Sequence, residues 1–101
     1  MMFRVFEENG NGSFVLKQNI DFSSISGLDL TSTIQFLSMS SDNQKIVIKG
    51  TMPEFYIFNV SGGSYVFQHK EILSYGSGSQ IKISNSGVVI TSDPFFAYVY
   101  K

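Results

Sequence analysis

The chain has 101 residues, 43% of them apolar and including ten Phe, five Tyr and no Trp. That is enough for one domain at most and too apolar for a disordered segment. The net charge is −1 and the seven Lys and Arg residues are scattered singly, which excludes a basic stripe able to track a phosphate backbone, so no nucleic-acid partner is expected. No apolar run approaches the roughly 20 residues of a membrane-spanning helix, and residues 1–6 lack the pattern of a signal peptide, so no membrane insertion is expected. With no Cys, disulfides and thiolate chemistry are excluded.

Strand signals run the length of the chain. In order they are Phe3–Phe6, Phe14–Leu16, Phe36–Ser40, Lys45–Ile48, Phe55–Phe58, Tyr65–Phe67, Gln80–Ser84, Val88–Ile90 and Ala97–Tyr100. Most are β-branched or aromatic runs; Phe36–Ser40 and Gln80–Ser84 instead largely alternate apolar and polar residues, as a half-buried strand does. Asn-Gly, Gly-Gly, Ser-Asp and Asn-Ser-Gly clusters punctuate them, and such residues tolerate the left-handed conformations of tight turns. No helical periodicity competes. Short strands at this spacing belong to a sandwich, a barrel or a propeller.

Internal repetition favours the propeller. Ile46-Val47-Ile48 matches Val88-Val89-Ile90 and Tyr56-Ile57-Phe58 matches Tyr98-Val99-Tyr100 at an offset of 42, while Leu37, Met39 and Ser40 match Ile81, Ile83 and Ser84 at 44. The hairpin is copied as well. Phe3–Phe6 matches Phe55–Phe58 at 52, and Ser13–Leu16 matches Ser64–Phe67 at 51. A period near 42 with four strands per unit is that of propeller blades. The expected fold is all-β, with about two antiparallel four-stranded blades in a single repeat region over 1–101: a partial blade over 1–20, a complete blade over 36–72 and a partial blade over 79–101. Since a closed ring needs about four blades, the expectation is a segment of a larger propeller or a chain completed by neighbouring copies.

The units resemble FG-GAP propeller repeats, the type found in integrin α-subunit heads. The resemblance is carried by Tyr56-Ile57-Phe58, the turn Gly62-Gly63-Ser64-Tyr65, the strand Phe67–Ile72, and Gly50-Thr51-Met52-Pro53 where the family has a Gly-Ala-Pro turn. It implies a surface or extracellular setting and a role in protein binding. Two departures matter. Phe36 is followed by Leu37 rather than Gly, and the turns Ser41-Asp42-Asn43-Gln44 and Asn85-Ser86-Gly87 carry too few carboxylates for the six to eight oxygen ligands of the family's calcium loops. No metal and no cofactor is expected.

Catalytic groups are not evident either. His69, the one imidazole, reads as an exposed strand residue without a positioned partner, and Glu7 and Glu8, adjacent on a strand, point to opposite faces. Asp93-Pro94 reads as a turn, and Gly76-Ser77-Gly78-Ser79 as an interblade linker lacking the helix and Lys of a phosphate cradle. Asn11 and Asn59 begin Asn-x-Ser sequons in expected hairpin tips and are the candidate glycosylation sites. The expectation is a non-enzymatic structural or protein-interaction module completed by a partner protein or further copies; the alternative is a glycan-binding module that acts as an oligomer.

Overall fold

A computed structural model describes residues 2–28, 33–73 and 80–101. It is all-β, with antiparallel sheets and, among the described residues, a single turn of 3-10 helix. The chain divides into two compact units, Met1–Thr31 and Ser32–Lys101.

In the first unit, β1 (Met2–Glu8) pairs antiparallel with β2 (Phe14–Asp21), and a 3-10 turn follows over Phe22–Ser24. The Asp21 carboxylate caps that turn by accepting the Ser23 amide at 3.0 Å. Phe22 is fully buried and meets the edge of the Phe3 ring at 6.2 Å between centroids.

The second unit holds two sheets. One is four-stranded in chain order: β3 (Ile34–Met39), β4 (Lys45–Gly50), β5 (Glu54–Ser61) and β6 (Ser64–Ile72). The other is three-stranded, β7 (Gln80–Ile83), β8 (Val89–Ser92) and β9 (Ala97–Tyr100). Chain-order sheets follow from short hairpins. Between β5 and β6 only Gly62 and Gly63 turn the chain, at φ of 59° and 81°, the pair of positive angles that a two-residue hairpin with the native strand twist requires. Residues 29–32 and 74–79, including the Gly76–Ser79 linker, lie outside the described residues.

The two sheets of this unit face each other through one core. Val47, Phe55 and Leu73 pack with Ile81, Ile83 and Val89, and Phe36, Ile57 and Tyr100 close its margin. Burying such side chains stabilises by about 1.5–3 kcal/mol each. The turns interlock beside the core: the Asn85 side-chain oxygen accepts both the Ser41 hydroxyl and the Asp42 amide at 3.1 Å. The period-two pattern also buries Ile46, Ile48, Tyr56 and Phe58 on the other face of the four-stranded sheet, which is why the centre of β4, Ile46-Val47-Ile48, is apolar on both faces.

Strand register refines the repeat. Phe6 pairs with Leu16 and Val5 with Gln18, while Phe58 pairs with Phe67 and Ile57 with His69. Both hairpins therefore carry a β-bulge at matching places, Lys17 and Gln68, at the offset of 51. The β4 offset needs correction. Met39 pairs with Ile46 and Ile83 with Val89, so Ile46 corresponds to Val89 and Val47 to Ile90, an offset of 43 rather than 42. The cause is a turn one residue shorter. The Ser40 amide bonds the Lys45 carbonyl, whereas the Ser84 amide bonds the Val88 carbonyl, so the same closure is reached with one residue fewer. A one-residue slip reverses every side chain of a strand, so the correction decides which face of β8 is covered.

Candidate functional site

Where β5 and β6 turn toward β8 and β9, the two sheets of the second unit leave a groove of about 510 Å³. Its apolar walls are Phe55 and Ile57 from β5, Val89 from β8 and Tyr100 from β9, and the β9 strand borders it at Val99. Tyr100 meets Phe55 edge-on, 5.3 Å between ring centroids, and this contact sets the inner limit of the groove. The polar rim comes from Lys45, Asn59, Gln68, His69, Glu71 and Lys101.

Register explains these neighbours. Ile57 lies opposite Val47 and His69, Phe55 opposite Glu71, and Asn59 opposite Lys45, so all of them project from one face of the four-stranded sheet. The Lys45 ammonium donates to the Asn59 side-chain oxygen at 3.1 Å, and Nε2 of His69 lies 2.7 Å from a Glu71 carboxylate oxygen. His69 thus has a partner that the sequence reading missed. The signal was available, because residues two apart on a strand share a face.

The other sequence candidates fall as follows. Asn11 is exposed in the loop between β1 and β2, where its amide donates to Asn9 Oδ1 at 3.0 Å. Asn59 is not at a hairpin tip. It lies half-buried within β5, the tip being Gly62-Gly63, and its side-chain oxygen is occupied by Lys45. Glu7 pairs with Lys17 at 3.6 Å, while Glu8 accepts the Gly12 amide at 2.6 Å, so the two carboxylates serve different partners. Asp93 accepts the Phe95 and Phe96 amides at 2.9 and 2.8 Å and so holds a turn.

Asp42 accepts the Ser40 hydroxyl at 2.7 Å and the Gln44 amide at 3.0 Å. These bonds hold its carboxyl below the usual carboxylate range, the Ser40 bond having the larger effect. Among the described residues, no group of three or more His, Asp or Glu gathers as a metal site would require. The groove thus places the donors and acceptors of Lys45, Asn59, His69 and Glu71 beside an apolar and aromatic wall.

Comparisons with protein-family models, with curated proteins and with solved structures find no match to this chain.

The groove lies beside two unpartnered features of the three-stranded sheet. Ile90 and Val99, 47% and 54% exposed, occupy on that sheet the places that Val47 and Ile57 occupy on its neighbour, where Val47 is buried against the three-stranded sheet and Ile57 is half-buried at its margin. In addition, β9 pairs with β8 alone among the described residues, whereas β5 pairs on both sides.

Proposed function

We propose that this chain is a non-enzymatic protein-interaction module built of propeller-type repeats of the FG-GAP kind, and that the outward face of its three-stranded sheet is the contact surface. The observation that carries this reading is the exposure of Ile90 at a position whose counterpart, Val47, is fully buried by a packed sheet, with Val99 exposed where its counterpart, Ile57, is half-buried against that sheet. Exposed apolar residues at repeat positions that are otherwise buried mark a surface meant to be covered. The shared bulges at Lys17 and Gln68 support the repeat, and the three sheets following one another in chain order support blades. Affinity capture from an extract of the source cells, with the wild-type chain and with Ile90→Glu as baits, tests it. A protein retained by the wild type and lost with the variant is the expected result. Retention that does not depend on Ile90 overturns the reading.

The groove favours a second reading, a glycan-binding module. Tyr100 offers a ring edge beside the donors and acceptors of Lys45, Asn59, His69 and Glu71, a combination that suits a polyhydroxylated ligand. A glycan array probed with the purified chain separates the two readings, since binding lost on Tyr100→Ala would favour the second.

A further inference from the structure

We propose that Asn11 is a self-modifying site: the Gly12 amide nitrogen attacks its carboxamide and converts it to aspartate and isoaspartate, with the Glu8 carboxylate taking the proton. The inference goes beyond the interaction-module reading and does not rest on it.

The hairpin sets the geometry. β1 ends at Glu8 and β2 opens at Phe14, which lies opposite Glu8, so residues 9–13 form the loop above that pair. Two Asn-Gly pairs stand in it, Asn9-Gly10 and Asn11-Gly12. In each, the residue that supplies the attacking nitrogen is a glycine, so no side chain shields that nitrogen. The loop is also open: a Cβ added at Gly10 or Gly12 would meet no atom within 4 Å, which leaves both nitrogens accessible to an incoming carbonyl and to water.

Hydrogen bonds separate the two pairs. The Gly12 amide donates to Glu8 Oε1 at 2.6 Å, the reach at which a general base takes a proton. This nitrogen is the one that must bond to Cγ of Asn11. Asn11 is exposed and its carboxamide makes no hydrogen bond among the described residues, so it can swing toward its attacker. Asn9 is the reverse case. Its Oδ1 is held by the Asn11 amide at 3.0 Å, its own amide donates to the Ser13 carbonyl at 2.9 Å, and no carboxylate accepts the Gly10 amide among the described residues.

The steps balance without an oxidant or reductant. As the bond from Gly12 N to Asn11 Cγ forms, the amide proton passes to Glu8, which returns it to the departing Nδ2. The Cγ–Nδ2 bond breaks and ammonia leaves, so a five-membered succinimide remains. Solvent water then adds to either ring carbonyl. Breaking the new Cγ–N bond gives aspartate; breaking the original peptide bond gives isoaspartate, whose main chain runs through Cγ and is one methylene longer. Either product puts a new negative charge in the loop beside Glu8. Either also removes the sequon's acceptor, because a glycan would be carried on the nitrogen that departs, so the two fates of Asn11 exclude each other.

The test incubates the whole chain in warm neutral buffer and follows each asparagine by peptide mass mapping, through the roughly 1 Da gain of amide-to-acid conversion. Electron-transfer fragmentation identifies the isoaspartate. In the folded chain Asn11 is expected to convert about tenfold or more faster than Asn9, and in guanidinium chloride the two are expected to convert alike. Glu8→Gln keeps an acceptor oxygen for the Gly12 amide but not a carboxylate base, and is expected to slow Asn11 by about tenfold or more while leaving Asn9 unchanged. The comparison of the two asparagines in the wild type needs no variant and so does not depend on how Glu8→Gln folds. No conversion of Asn11, conversion of Asn9 at an equal or greater rate in the folded chain, or an Asn11 rate indifferent to Glu8→Gln overturns the inference.

Discussion

Ser40 and Ser84 perform the same task in different sheets: each hydroxyl accepts the amide that opens the next strand, Lys45 N and Val88 N respectively, at 3.0 Å in both cases. They differ in exposure, Ser40 being buried and Ser84 open to solvent. Ser40 also donates to Asp42, so it ties the turn together from inside. Ser40→Ala is expected to cost about 1–3 kcal/mol, because the amide it leaves is shielded from water, and Ser84→Ala about 1 kcal/mol or less. Urea denaturation of both variants checks the order; equal costs would mean that burial of the turn is irrelevant.

Lys49 provides a pH signature. It is 1% exposed, its ammonium donates to the Gly50 carbonyl at 3.0 Å and lies 6.0 Å from the centre of the Phe36 ring, and it makes no ion pair among the described residues. Desolvation lowers its pKa from the ordinary 10.5. The unfolded chain therefore holds the proton more tightly than the folded one, and this penalty on folding is relieved as pH rises through the folded value toward 10.5. Lys49→Met is expected to stabilise by about 1 kcal/mol or more at neutral pH. Its advantage over the wild type should shrink as the pH is raised. An advantage independent of pH would show that packing, not charge, is responsible.

Phe55 joins the two sheets of the second unit through Tyr100 and the shared core. Phe55→Ala is expected to cost about 3–5 kcal/mol, a large share of the stability of a domain this size. Tyr100→Ala, at the half-buried margin, should cost less. Thermal unfolding of the two variants gives the comparison, and a Tyr100 effect equal to that of Phe55 would contradict this placement of the core.

Expression through a glycosylating secretory pathway distinguishes the two sequons. Asn11, exposed in its loop, is expected to carry a glycan, whereas Asn59, held in β5 by Lys45, is expected to remain bare on the folded chain. Peptide mass mapping reads both sites, and a glycan on Asn59 with none on Asn11 would reverse the assignment.

Much of this protein was legible in its residues. The nine strands found among the described residues, the chain-order pairing expected across 36–72 and the copied hairpin all follow from local chemistry, because alternation, β-branching and glycine turns act within a few residues of one another. The limits were equally specific. Val88-Val89-Ile90 is apolar throughout, so its composition could not say which side faces the core; the register was decided by the shorter turn that Ser84 closes and by the packing of Val89 against Val47 and Phe55. The same holds for the groove. His69 and Glu71 share a face by strand periodicity alone, but only the apposition of two sheets brings them beside Tyr100, since a face acquires its neighbours from strands distant in sequence.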